Sequence, residues 1–103
     1  MINLKYPILE PGLYVISLPI GCLSDLTFRA LNVLTITKNI LAEDTRNAKT
    51  ILLTLGIDIS QKKISSYHEH SSKSVRTKVI QLIKNGESVS LICDAGTPLI
   101  SDP

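Results

Sequence analysis

The stretch NILAEDTRNAKTILLTLG, residues 39–56, holds one complete strand–helix unit. Its first four residues form a short apolar run of the kind found in buried strands. Apolar residues then recur at the i, i+3, i+4, i+7 spacing of one helix face, at Ala48, Ile51, Leu52 and Leu55. Gly56 follows, where helices commonly end in the left-handed conformation that glycine adopts freely. The stretch therefore predicts a strand followed by an amphipathic helix.

The same unit is repeated upstream. An apolar run from Leu13 to Leu18 lies between Pro11-Gly12 and Pro19 and predicts a strand buried on both faces. Ser24 is placed to cap a following helix. The apolar positions of that helix are Leu26, Ala30, Leu31, Val33 and Leu34.

Downstream, a weaker strand is predicted at about residues 63–66, and an almost wholly apolar one at residues 88–93. The helix between them should end at Gly86. Its apolar positions are Val75, Val79, Leu82 and Ile83. Four strands that alternate with three helices predict an α/β fold, a parallel sheet built from βα units.

The chain of 103 residues suffices for one domain or part of one. Parallel sheets of this kind usually continue into a further helix and strand. We therefore expect an extension at residues 1–11 and an incomplete α/β domain at residues 12–103.

Composition excludes several classes of protein. The net charge of +2 is too small to argue for or against a nucleic-acid partner. Cys22 and Cys93 lie far apart without metal-binding spacing, which favours a reducing compartment, the cytoplasm. No apolar run approaches the roughly 20 residues of a membrane span, so no membrane association is expected.

Ligands of open parallel sheets bind beyond the carboxyl ends of the strands. Each predicted strand is followed there by polar or turn-forming residues. Turn chemistry alone explains any one such loop, but four together favour a site. The segments are Pro19-Ile20-Gly21, Glu43-Asp44-Thr45-Arg46, His68-Glu69-His70 and Asp94-Ala95-Gly96-Thr97-Pro98.

The last of these segments combines a carboxylate, a glycine and a proline, and such a loop can cradle a polar cofactor. The phosphate-loop and dinucleotide fingerprints are missing, so neither an ATPase nor an ordinary dinucleotide site is indicated. No nucleophile elbow of a hydrolase is present either. The two histidines His68 and His70 lack zincin spacing, so no metal site is expected.

Two interpretations stay open for each of two residues after the second strand. Asp44 either caps the following helix or contacts a substrate. Arg46 either pairs with Glu43 or binds an anionic group such as a phosphate.

Four longer strings, in this order and at similar spacing, resemble the ribosomal RNA small-subunit methyltransferase I family of the tetrapyrrole-methylase superfamily. They are LPIGCLSDLTFRALNVL (residues 18–34), LAEDTR (41–46), SYHEH (66–70) and DAGTPLISDP (94–103). The resemblance covers about residues 12–103. Other branches of the superfamily carry a Gly-Asp-Pro loop at the last position and lack SYHEH.

The resemblance implies the amino-terminal domain of a two-domain, cytoplasmic, homodimeric enzyme. It implies S-adenosylmethionine as methyl donor and 2′-O-methylation of a cytidine ribose in the small-subunit RNA of the 30S subunit. It also implies that the cofactor lies between the domains, where it would contact Pro19, Gly21, Asp94, Ala95, Gly96, Thr97, Pro98, Ser101 and Asp102. Residues on the substrate side would be Asp44, Arg46, His68, Glu69 and His70.

A general base would help to remove the proton of the ribose hydroxyl. The candidates are Glu43, Asp44, His68, Glu69 and Asp94, of which Glu43 and Asp94 rank first by position. The family commonly has a threonine where this chain has Leu18, which removes a hydroxyl near the presumed site.

Two other interpretations remain. A methylase that acts on tetrapyrroles would share the fold and the donor. In the other interpretation, these 103 residues are a fragment without activity of its own. We expect them to be inactive when tested alone.

Overall fold

A computed structural model of the chain describes residues 9–19, 23–67 and 72–93. The four strands are β1 (Gly12–Ser17), β2 (Asn39–Ala42), β3 (Lys63–Ser66) and β4 (Ser88–Cys93). The α-helices are α1 (Phe28–Ile36), α2 (Thr45–Thr54) and α3 (Ser72–Lys84), and a short 3-10 turn occupies Leu23–Asp25. The predicted alternation of four strands and three helices is confirmed.

The four strands form one parallel sheet in the order β1-β4-β2-β3. β4, the last of the described strands, lies between the first two. Ile92 of β4 pairs with Ile16 of β1 on one side and with Ala42 of β2 on the other. The fold is therefore α/β, as the strand pattern predicted.

One face of the sheet carries α1 and α2. Alternate strand residues, Ile16, Ile40 and Ile92 among them, pack there in one buried cluster with side chains of both helices. Leu34 of α1 and Leu52 of α2 are fully buried. Each such side chain contributes about 1.5–3 kcal/mol by leaving water. This layer is the hydrophobic core of the described residues.

The opposite face carries α3. Its residues Val75, Val79 and Leu82 line a cavity against Leu41 and Val89 of the sheet. Right-handed crossovers explain the split, because the chain runs one way across the sheet from β1 to β3 and then returns to β4. A reversal of direction moves the connecting helix to the other face.

The ends of the helices follow from local chemistry. Gly56 and Gly86 end α2 and α3 with φ angles of 81° and 89°, as predicted. The prediction of Ser24 as the cap of the first helix was wrong. Thr27 is the cap, because its hydroxyl accepts a hydrogen bond from the Ala30 amide (3.1 Å), while Ser24 lies in the 3-10 turn.

The prediction that the first strand is buried on both faces was also wrong. β1 is an edge of the described sheet, and Leu13 and Val15 are 46% and 52% exposed. They lie on the face that carries α3, which contacts β4 and β1 but leaves these two side chains about half exposed. Ile16, which points to the other face, is buried against α1 and α2. None of the described helices is long and apolar enough to cross a membrane.

A buried polar link joins α1 to the centre of the sheet. The Ser90 hydroxyl on β4 donates to Thr37 Oγ1 (2.9 Å), and Thr37 Oγ1 donates to the carbonyl of Val33. Both Ser90 and Thr37 are 0% exposed. The Lys62 ammonium donates to the carbonyls of Thr35 and Thr37 at the end of α1, and burial lowers the pKa of this lysine. These bonds fix the end of α1 against β4 and the approach to β3.

Replacing Thr37 by valine should cost more stability than replacing Ser90 by alanine. Thr37→Val leaves the Ser90 hydroxyl buried without its acceptor and should lower the free energy of unfolding by about 1–3 kcal/mol. Ser90→Ala leaves the bond from Thr37 to Val33 intact and should cost about 1 kcal/mol. Urea denaturation measures both values.

The double variant Thr37→Val/Ser90→Ala completes the comparison, because it removes both partners together. Its loss should be smaller than the sum of the two single losses. Thr35→Val, at an exposed position of α1, is the matched control. Strictly additive losses would contradict an energetic link between the two hydroxyls.

Candidate functional site

The carboxyl ends of all four strands lie along one edge of the sheet. Ser17 pairs with Cys93, and Ala42 pairs with Ile92 and with Ser66. Backbone pairing continues just past the strands. The Leu18 amide donates to the Cys93 carbonyl (2.9 Å), and the Tyr67 amide donates to the Ala42 carbonyl (2.8 Å). The segments that follow the strands thus leave from one edge, where ligands of parallel sheets bind.

The strand order predicts a crevice between the ends of β2 and β3. The helix that follows β2, α2, lies on one face of the sheet, and the helix that follows the neighbouring β3, α3, lies on the other. Two adjacent strands whose connections diverge in this way mark a topological switch point, the usual place for a ligand in an open sheet. The string AEDTR lies on one side of this crevice and Tyr67 on the other.

Asp44 is the cap of α2. Its Oδ1 accepts hydrogen bonds from the amides of Arg46 (3.0 Å) and Asn47 (3.2 Å). A carboxylate at this position also complements the partial positive charge of the helix N-terminus. The capping interpretation of Asp44 is confirmed, and a contact with substrate stays a prediction.

Glu43 has a different environment from its neighbour. Its side chain is exposed at the end of β2, and no hydrogen bond or ion pair joins it to another described residue. Because Ala42 pairs with Ile92, Glu43 lies at the level of Cys93, the residue before Asp94. Glu43 is thus an exposed carboxylate that directly follows β2, an inner strand.

The interpretation that Arg46 pairs with Glu43 was wrong. The structure describes both side chains, and they form no ion pair. Arg46 is exposed in the first turn of α2. Its other interpretation, contact with an anionic group, stays a prediction.

A small cleft lies where β2 meets α2. Its volume is about 10 Å³, and Glu43, Asn47, Ile51 and Ile92 are among its lining residues. A cofactor of nucleoside size needs a pocket of several hundred Å³. The described side of the edge can therefore supply contacts to such a group but cannot enclose it. No group of three metal-binding side chains occurs among the described residues.

Leu18 and Pro19, the described residues that follow β1, lie in different environments. Leu18 is 5% exposed and packs in the hydrophobic core. A hydroxyl at that position would lie in the core and not in the site. Pro19 follows at the edge and is half-buried.

The remaining predicted site residues lie outside the described residues, and their roles stay predictions. They are Gly21, His68, Glu69, His70, Asp94, Ala95, Gly96, Thr97, Pro98, Ser101 and Asp102.

No sequence pattern singled out Tyr67, which directly follows β3 beside the crevice. Its amide bonds the end of β2, and its half-buried ring lines a cavity of about 200 Å³ with Leu41, Arg76 and Leu91. The sequence feature that could have identified Tyr67 is its position as the first aromatic residue after a short strand, within the string SYHEH.

Known proteins resemble this chain over most of its length. Residues 12–103 match the family described as Tetrapyrrole (Corrin/Porphyrin) Methylases. Proteins named ribosomal RNA small subunit methyltransferase I are 44% identical in Mesorhizobium japonicum, over 92% of this chain and 31% of the relative. The relative in Rickettsia prowazekii is 48% identical over 93% of this chain and 33% of its own length. The relative in Bacillus subtilis is 43% identical over 88% of this chain and 30% of its own length.

The chain thus spans about a third of the length of these curated relatives. The relatives carry the name of the family that the four sequence strings resembled, so that resemblance is confirmed. A parallel α/β sheet and a match over residues 12–103 agree with each other, and the chain belongs to the tetrapyrrole (corrin/porphyrin) methylase family.

Proposed function

We propose that the whole protein transfers a methyl group from S-adenosylmethionine to the 2′-hydroxyl of a cytidine ribose in small-subunit ribosomal RNA. The observation that carries this proposal is the 43–48% identity to three methyltransferases named for that RNA. The range that matches the family, residues 12–103, includes the AEDTR string at the switch-point crevice. The proposal includes a homodimer in the cytoplasm that acts on the 30S subunit.

The cofactor supplies an electrophilic methyl group, and the protein must align the ribose hydroxyl with it. We assign the cofactor to Pro19, Gly21 and the segment 94–102, because the cleft beside Glu43 is too small to hold it. Residues 12–103 then form one wall of the site, and residues 1–11 form an extension.

Glu43 is the described residue best suited to take the hydroxyl proton. Its carboxylate is exposed at the edge, has no partner among the described residues and directly follows β2, an inner strand. Asp44 is less suited, because its Oδ1 already accepts two amide hydrogen bonds. Asp94 follows β4, the strand next to β2, and is the second candidate.

The substrate side of the proposed site lies at the crevice between β2 and β3. Arg46 has an exposed guanidinium there and can contact a phosphate of the RNA. His68, Glu69 and His70 follow Tyr67 in the chain and complete the assignment to substrate. Asp44 borders the same crevice.

A second candidate function is methylation of a tetrapyrrole, which the description of the matching family favours. It would use the same fold and donor with a different acceptor. The two candidates differ in their substrate, so one assay separates them.

The whole protein, produced from its natural gene, should transfer labelled methyl groups from S-adenosylmethionine to 30S subunits. Digestion of the RNA and mass spectrometry should find the label on a cytidine ribose. A tetrapyrrole precursor such as uroporphyrinogen, offered in parallel, should stay unlabelled. Transfer to the tetrapyrrole alone, or to neither acceptor, contradicts the proposal.

Glu43→Gln should lower kcat about 10²–10⁴-fold at neutral pH, because the amide cannot accept the hydroxyl proton. The affinity for S-adenosylmethionine should stay close to that of the unaltered protein. Glu10→Gln, an equal change at an exposed residue before β1, is the control. An unchanged kcat in Glu43→Gln would move the role of base to another residue.

Asp94→Ala should weaken the binding of S-adenosylmethionine by the whole protein roughly 10- to 100-fold. A hydrogen bond to a charged group contributes about 1.5–3 kcal/mol, which corresponds to that range. Calorimetric titration measures the affinity. Asp58→Ala, which removes a carboxylate between α2 and β3, should bind as the unaltered protein does. Equal affinities in all three proteins would exclude Asp94 from the cofactor site.

A further inference from the structure

The basic residues of this protein are distributed unevenly. The chain carries 11 basic and 9 acidic residues, a net charge of only +2. Helix α3, with the sequence SKSVRTKVIQLIK, has four basic residues and no acidic one. The low net charge of the chain thus conceals one strongly cationic helix.

The four cations of α3 lie outside the apolar stripe that faces the sheet. Lys73, Arg76, Lys78 and Lys84 are exposed, while Val75, Val79 and Leu82 face the sheet. From Lys73 to Lys84 the helix rises roughly 16 Å, at about 1.5 Å per residue. A nucleic-acid strand advances about 3.4 Å per nucleotide, so this length matches about five phosphates.

A groove continues this surface toward the edge of the sheet. β3 is an edge strand, and a cavity of about 130 Å³ lies between it and α3. Lys63 and Lys78 line the cavity together with the hydroxyl-bearing residues Ser65 and Ser66. Ammonium and hydroxyl groups together are common donors to phosphate oxygens.

The charge pattern is unfavourable for α3 by itself. Lys73 lies in the first turn, where the helix dipole disfavours a cation and acidic residues are normally placed. Lys73 and Arg76 are also three residues apart, a spacing at which like charges repel by a few tenths of a kcal/mol. In a helix that only faces solvent, nearby acidic residues normally offset such repulsion between cations. Here an anionic partner would offset the repulsion when it binds.

The cationic surface adjoins the proposed site. Arg76 lines a cavity with Tyr67, whose amide bonds the end of β2 at the crevice. An RNA strand with its target nucleotide at the crevice would therefore have phosphates within reach of α3. We propose that Lys63, Lys73, Arg76, Lys78 and Lys84 form a binding surface for the phosphate backbone of the RNA substrate. This inference rests on the proposed function.

The test measures how salt affects binding of the whole protein to a small-subunit RNA transcript. Fluorescence anisotropy at several KCl concentrations gives the slope of log K against log[KCl]. Each phosphate contact contributes about 0.7–0.9 to this slope. The variant Lys78→Gln/Lys84→Gln should therefore reduce its magnitude by about 1.5 units, and Lys78→Arg/Lys84→Arg should preserve it.

The control is Arg29→Gln/Lys38→Gln, which removes two exposed cations from α1 and from the residue before β2. It should keep the slope of the unaltered protein. An unchanged slope in the α3 variant, or an equal reduction in the control, would overturn the proposed surface.

Failure of the unaltered protein to bind the RNA at any salt concentration would contradict the surface and the proposed function together. RNA binding that depends on α3, without methyl transfer, would support the surface and contradict the proposed function. Vesicles of phosphatidylglycerol and phosphatidylcholine provide the last comparison. The proposal would be overturned if the unaltered protein bound no RNA but cosedimented with the vesicles, and if the α3 variant no longer did so. The surface would then be assigned to lipid.

Discussion

The position of β4 between β1 and β2 is the constraint on which the rest of the structure depends. Parallel strands cannot be joined by a tight turn, so β4 reaches its place only after α3 has crossed the sheet. This return reverses the direction of the chain and places α3 opposite α1 and α2. The same reversal places the helices that follow β2 and β3 on opposite faces of the sheet. Strand order therefore determines where the switch point lies.

The hydrophobic core and the polar link between α1 and β4 both depend on the position of β4 between β1 and β2. Val89 and Ile92 of β4 are buried on opposite faces, each against a different helix layer. Ser90 lies between them and bonds Thr37, whose backbone carbonyl accepts from Lys62. A buried hydroxyl pair is tolerated because each group has a partner, and its geometry specifies how α1 ends against β4.

The charges divide between the two sides of the crevice. The β2 side carries two carboxylates, of which one caps a helix, together with the guanidinium of Arg46, whereas α3 carries four cations and no carboxylate. A net charge computed over the whole chain averages these contributions and loses the pattern. The proposed proton removal by a carboxylate and the proposed binding of phosphates by cations would therefore take place on neighbouring surfaces.

Hydrophobic periodicity and turn residues determined the number, type and approximate bounds of the elements, because these depend on contacts only a few residues apart. Asn39–Ala42 and Ser88–Cys93 agree with their predicted bounds, and Gly56 and Gly86 end the helices where expected. The sequence also placed Glu43 at a strand end and carried the resemblance to the family. It could not show that β1 is an edge strand with Leu13 and Val15 exposed, or that Thr27 caps α1. Nor could it show that Leu18 packs inward, that Arg46 leaves Glu43 unpaired, or that Tyr67 borders the crevice. Each of these depends on which strands become neighbours and on which face each helix packs, and that is decided only by contacts between residues far apart in the chain.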